Sequence, residues 1–146
     1  MLRLVVELPP GWGDHSSENA DGPATFIKED SESPGALQIS IQAEYRGGAI
    51  PNPIPEQLVT FAERIVKKNA DVQIRGRSTG QCNIGTYGSI LASFSGISWC
   101  QIWVLSNGKD FVLASHTSVD EPSEAEVNES SWVVKNIGLQ MLPDGL

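Results

Sequence analysis

The chain has 146 residues, 40% of them hydrophobic, and a formal net charge of −8. That length fits one domain over residues 1–146, able to bury most of its apolar surface without metal or disulfide staples. No run of about eighteen apolar residues occurs, so no membrane insertion is expected, and the acidic balance argues against nucleic acid, whose phosphates need a cationic surface.

In chain order, LRLVVEL (2–8) reads as a strand. Pro9 and Pro10 end it, because neither can donate to a sheet ladder. Gly11 and Gly13 permit a tight reversal, so GWGDHS is read as the turn that leaves this strand. Asp14, His15 and Ser16 stand in a row there, which invites a catalytic reading. Consecutive residues in a loop point different ways, and working triads are assembled from distant segments. No catalytic residue is therefore assigned. Trp12 is expected to fold back onto a sheet edge or helix end, its ring packed and its indole N–H near water.

ATFIKE (24–29) reads as a short strand and ALQISIQA (36–43) as a clean one, with Leu37, Ile39 and Ile41 on one side. The glycines and prolines of YRGGAIPNPIPEQ make a stiff connection, and Pro53 or Pro55 suits a first helical turn. From Glu56 to Asn69 the period becomes helical, with Leu58, Phe61, Ala62 and Ile65 on one stripe and Glu63, Arg64, Lys67 and Lys68 outside. Strands are expected again over 72–85, 86–96 and 97–105. In the last, Trp99, Gln101 and Trp103 share one face and Cys100, Ile102 and Val104 the other. Asn107-Gly108 predicts a two-residue I′ hairpin leading into FVLASHTS (111–118). A second helix follows, with Ser123 and Glu126 as a capping box and Val127, Ser131, Val134 and Ile137 along its stripe. Gly138 is placed as its C-terminal glycine.

This order predicts an α+β domain: an α/β/α sandwich with a central antiparallel sheet of about six to seven strands and two main helices. The turn "LPPGW", the strand "GALQISI", the Pro-led helix "PEQLVTFAERIV" and the final helix "SEAEVNESSWVVKNI" together resemble the PsbP-like superfamily over nearly the whole chain. That group includes a photosystem extrinsic subunit, a eukaryotic Ran-binding protein and many bacterial proteins. The resemblance implies the same sandwich and a role in binding proteins; it transfers no active site.

Two residue sets are candidates for contact. Five of the ten basic residues, Arg64, Lys67, Lys68, Arg75 and Arg77, fall within fourteen positions of an acidic chain. Such a block offers a positive surface to a protein partner, or is a solvated face. Tyr87, Phe94, Trp99 and Trp103 could line an apolar ligand pocket, or pack as core. His116 is read as a histidine satisfied at a sheet edge. No metal is expected, because His15, His116, Cys82 and Cys100 show no ligand spacing, and the glycines of GRSTGQCNIGTYG lack the Lys-Ser/Thr of a phosphate loop. Without an export signal the chain is expected to be cytoplasmic, its cysteines reduced, unless a leader has been removed. The expected function is a bacterial, non-enzymatic protein-binding module, an adaptor or secretion-linked chaperone. It would act as monomer or homodimer without a cofactor. The alternative is a small-ligand-binding protein.

Overall fold

The computed structural model describes residues 2–42 and 52–143. The glycine-rich part of the expected connection before the first helix lies outside them. The elements, in order, are β1 (Leu2–Val5), β2 (Trp12–Asp14), β3 (Ala24–Lys28), β4 (Ala36–Ile41), α1 (Pro55–Val66), β5 (Gln73–Cys82), β6 (Gly85–Phe94), β7 (Ile97–Ser106), β8 (Phe111–Ser118), α2 (Glu124–Lys135) and β9 (Gly138–Met141). Seven strands form one antiparallel sheet in the order β2-β3-β4-β8-β7-β6-β5.

Alternation on the central strands makes two cores. On one face Ile90, Ala92, Cys100, Ile102 and Val104 meet Leu58, Phe61, Ala62 and Val66 of α1. On the other, Leu37, Ile39, Trp103, Leu105, Val112 and Ala114 meet Val133, Val134 and Ile137 at the end of α2. One helix therefore covers each face, the expected sandwich. Pro55 opens α1 at a position whose N–H has no helical partner, and Gln57 Oε1 accepts the Ile54 N–H at 2.9 Å.

The structure corrects the sequence reading in four places. Trp12–Asp14 is not a turn but the edge strand β2, paired with β3 from Trp12↔Lys28 to Asp14↔Phe26. The reversal lies just before it, where Gly11 takes φ +91°. β1 leaves the main sheet and pairs with β9 in a separate ribbon, from Leu2↔Met141 to Val5↔Gly138. Gly138 is thus the first residue of a strand rather than a helix cap, and α2 ends at Lys135 with Asn136 as its cap. Leu4, Val6, Leu8 and Leu139 of the ribbon region close the α2-side core.

The Asn107-Gly108 connection is the fourth. Ser106 pairs with Phe111, so the loop holds four residues rather than two. Only Gly108 has positive φ, at +95°. Asn107 contributes through its side chain, whose Oδ1 accepts from the N–H of Lys109 at 3.0 Å and of Asp110 at 2.7 Å. Gly108→Val should still cost about 1–3 kcal/mol, because a β-branched residue fits that φ badly. Urea melts check it, and an unmoved midpoint would mean the loop adopts another path.

Cys82 and Cys100 are both free thiols. They stand on β5 and β7, two strands apart, and pack into opposite cores. Burial raises both thiol pKa values, which keeps them protonated and unreactive. Thiol titration in denaturant without reductant should count two groups per chain; a count of zero would contradict this packing.

Candidate functional site

The basic residues are divided by the sheet. β5 carries a bulge between Ile74 and Gly76, so Arg75 has no partner position on β6. Arg77 pairs in register with Ile90 of the α1-side core and forms an ion pair with Glu63 of α1, its Nε 3.0 Å from Glu63 Oε1. Lys67 reaches the other oxygen of the same carboxylate at 3.2 Å. The two cations, Arg77 foremost, hold the Glu63 carboxyl below its usual pKa. Arg64 lies over the Phe61 ring, and Lys68 is exposed just past the end of α1. Arg75 goes elsewhere. It stacks over Trp99, 5.3 Å from the ring centroid, and pairs with Glu121 at 3.0 Å. Of the five candidates only Lys67 and Arg77 are thus brought together, between α1 and β5, where Glu56 and Glu63 are the carboxylates at hand, while Arg64 lies toward Phe61 and Phe111.

β5 is an outer strand of the sheet. Between it and α1 lies a hollow of about 270 Å³, lined by Glu56, Val59, Arg77, Ser78 and Thr79. The hollow exists because α1 sits over β6. A methyl carbon built on Gly88 would fall 2.8 Å from the Leu58 carbonyl carbon and the Pro55 carbonyl oxygen. The glycine lets the helix backbone settle directly on β6, and β5 is left uncovered.

The four aromatic candidates do not share a cavity wall. Tyr87 and Trp103 belong to the α2-side core, whereas Phe94 packs against the α1-side core. Trp99 is buried beneath Arg75, and its indole N–H has no partner among the described residues. A hollow of about 490 Å³ touches Phe94 alone of the four, with Arg75, Ser98 and Glu121 on its wall.

The Asp14-His15-Ser16 run is arranged by its turn. Asp14 Oδ1 accepts the Ser16 N–H at 2.9 Å, and Ser16 Oγ accepts the Thr25 N–H at 2.9 Å. His15 faces Glu18 at 3.0 Å and Glu29 at 2.8 Å, and these contacts raise its pKa. Trp12 packs in the α2-side core and donates its indole N–H to Glu129 of α2 at 3.3 Å. Trp12 thus sits at the sheet edge, as expected, but its N–H meets a carboxylate in the middle of α2 rather than a helix end or water.

Sequence reading missed a buried polar chain between β8 and α2. His116 is not at a sheet edge: β8 lies between β4 and β7, and the residue is fully buried. Its Nε2 stands 2.7 Å from Glu126 Oε2, and its Nδ1 3.4 Å from Ser130 Oγ. Glu126 Oε2 also accepts the Gly35 N–H at 3.0 Å, while Oε1 is buried without a partner among the described residues. Burial is the main force on His116 and lowers its pKa, against the pull of Glu126. With the neutral ring donating from Nε2, Nδ1 is an acceptor for the Ser130 hydroxyl. That hydroxyl lies closer to the Val127 carbonyl, at 2.9 Å. Glu, His and Ser stand in relay order, but all three are buried, so no substrate reaches Ser130 Oγ in this arrangement. The group ties α2 to the sheet.

The two histidines should therefore titrate in opposite directions. Followed by NMR, His15 should titrate above the ordinary value of about 6.5 and His116 below it. Coincident midpoints would contradict the buried pairing of His116.

A second unforeseen feature is Trp132, 43% exposed on α2. With Leu8, Pro9, Pro10, Asn128 and Glu129 it lines a hollow of about 440 Å³. Among the described residues, no group of three His, Cys, Asp or Glu could hold a metal ion, and no helix is long and apolar enough to cross a membrane.

No family model matches the sequence, and no curated protein resembles it in sequence. Solved structures do resemble it in fold. LpqN of Mycobacterium tuberculosis, described as involved in cell envelope biogenesis, aligns with a TM-score of 0.63 at 14% identity, over 97% of this chain and 85% of that one. The cyanobacterial PsbP of Synechocystis aligns with a TM-score of 0.49 at 9% identity, over 95% and 92% of the two chains.

Proposed function

From the PsbP-like fold of this chain, we propose a non-catalytic accessory protein that works by binding another protein, as an adaptor or secretion-linked chaperone. One observation carries the reading: Lys67 and Arg77 converge between α1 and β5, with exposed Lys68 just past the helix end, in a chain whose net charge is −8. Solubility needs no such concentration. A positive surface on an acidic molecule speeds encounter with an acidic partner and orients it. The involvement of LpqN in cell envelope biogenesis is compatible with an accessory part of this kind.

The test starts from a partner captured in native cell extract. Its association rate is compared for wild type and Lys67→Glu/Lys68→Glu, at low and high salt. Charge reversal should slow association roughly tenfold at low salt and much less at high salt, where the Debye length shrinks. Thermal stability should barely move, because Lys67 and Lys68 are exposed. An unchanged rate at both salt concentrations removes this surface from the reading.

A second reading, as a small-ligand binder, draws on the Trp132 hollow rather than the four aromatics named from sequence. Its wall of Leu8, Pro9, Pro10 and Trp132 suits an apolar group. A Trp132→Ala variant that loses binding of an apolar fluorescent probe would favour it.

A further inference from the structure

We propose that β5 is a docking edge: an extended segment of a partner protein, carrying acidic and apolar side chains on one face, adds to the main sheet there. The inference rests on the protein-binding reading above and goes further by naming the edge, the mode and the chemistry of the segment.

Three independent observations meet at this place. The first is the unpaired ladder. β5 is ten residues long and ends the sheet order, so alternate N–H and C=O groups along its outer side have no strand partner among the described residues. The opposite outer strand, β2, has only three residues. The second is the hollow between β5 and α1, with Val59 on its wall and Ser78 and Thr79 at its foot. A strand added beside β5 sends every second side chain toward the α1 side, where this hollow has room for a small apolar one. The third is charge. Arg77 and Thr79 pair with Ile90 and Gly88, which places them on the α1 face two residues apart. An acidic side chain two residues along the added strand from the apolar one meets Arg77, with Lys67 beyond.

The same residues disfavour a second copy as occupant. Antiparallel self-pairing of β5 centred on Gly76 or Arg77 would oppose arginines of the two chains, and like charges opposed across strands are destabilising. The bulge at Arg75 twists the first part of the edge away from flat pairing. The regular stretch from Arg77 to Gln81 remains for the incoming segment.

The experiment uses the full chain and a blocked synthetic peptide, Thr-Glu-Thr-Val-Thr-Glu-Thr, which puts Glu, Val and Glu on one face. Controls are the peptide with both Glu replaced by Lys, and the acidic peptide with alternate backbone amides N-methylated. Amide hydrogen exchange is followed across the protein. The acidic peptide should slow exchange in 77–81 roughly tenfold, whereas the Lys and N-methylated peptides should leave it unchanged.

Neighbouring N–H groups on a strand point to opposite sides, so of Ser78→Pro and Thr79→Pro one removes an outward N–H and the other a ladder bond to β6. The variant that keeps the wild-type melting temperature should lose the peptide. No protection at β5 with millimolar acidic peptide overturns the proposal. So does equal binding of the N-methylated peptide, equal binding by the folded proline variant, or dimerisation through β5 in sedimentation. If a partner captured from extract still binds the folded proline variant at its wild-type rate, strand addition falls while protein binding stands. If the peptide docks on β5 but no protein partner is captured, the edge stands and the accessory role falls.

Discussion

Glu126→Ala should lower the stability of the fold by about 3–5 kcal/mol, because two buried N–H donors are left unsatisfied at about 1–3 kcal/mol each and a cavity is added. The substitution orphans the Gly35 N–H and the His116 ring together, and it opens a gap in a fully packed layer. Glu126→Gln keeps the size and one acceptor oxygen, so its cost should be nearer 1–2 kcal/mol, on the order of a hydrogen bond made less well. Urea midpoints for the two variants and wild type decide it. A loss under about 0.5 kcal/mol for the alanine variant, the level of an ordinary surface substitution, would mean that the pair does not tie α2 to the sheet.

The same group sets a direction for pH dependence. Burial lowers the pKa of His116 in the folded chain, so below about 6.5 the unfolded chain takes up a proton that the folded chain refuses. This contribution is fully present above about pH 6.5 and falls away as the pH drops toward the lowered folded value. His15 acts the other way. Its pKa is raised by Glu18 and Glu29, so what it contributes is present below about 6.5 and is lost as the pH rises through its folded value. His15 is solvent-exposed and screened, so the buried residue should dominate. Stability measured between pH 7 and 5 should fall with acid in wild type. The fall should be smaller in His116→Gln, which has no imidazole to protonate at that position.

Gly88→Val should be as damaging, by about 3 kcal/mol or more. Any side chain there meets main-chain atoms of Pro55, Leu58 and Val59, and main chain cannot swing aside as a flexible side chain can. The helix must lift, and Leu58, Phe61, Ala62 and Val66 then lose part of their contact with the sheet. Far-UV circular dichroism and a urea melt would report it. Retained stability would mean that α1 slides along the sheet without loss. A second readout follows from the position of the helix: the hollow beside β5 should change shape, and exchange at Val59 and Thr79 should quicken.

The elements whose reason is local were legible in the sequence. Of the α1 stripe, Leu58, Phe61 and Ala62 are buried as read, whereas Ile65 is only half-buried and Val66 takes the last core position. Alternation of ISWCQIWVL assigned Trp103 and Ile102 to opposite faces, and the two cores follow it. The phase of α2 is legible only in its second half. The stripe Val127, Ser131, Val134 and Ile137 is buried at Val134 and Ile137, but the buried face of the helix runs through Glu126, Ser130, Val133 and Val134. Two of those four are polar, and only a histidine from a strand beneath makes their burial favourable. Glu126 was read as the returning half of a capping box. Ser123 Oγ does accept the Glu126 N–H at 3.1 Å, but the carboxylate turns inward to His116 instead. A cap signal and a buried acid look alike in one dimension. The basic cluster erred in the opposite sense: neighbours in sequence were separated in space, because one extra residue at Arg75 puts it on Trp99 while Arg77 joins α1. Pairing of β1 with β9 has no local signature, since the partners stand at opposite ends of the described chain.

That ribbon gives the molecule a mechanical character of its own. Leu2 lies opposite Met141, and Val5 opposite Gly138, so force applied at the two outer ends of the ribbon falls on the Leu2–Met141 pair first. The load then passes inward one pair at a time, like a zipper, and is never shared by the whole ladder as it would be in shear. Tension should therefore peel β1 from β9 while the seven-stranded sheet still holds. Peeling would draw away Leu4 and Leu139, and uncover part of the α2-side core. Stretched from these two ends, the protein should extend in two stages, a soft opening followed by a stiff one, and the first should reverse when the tension is released.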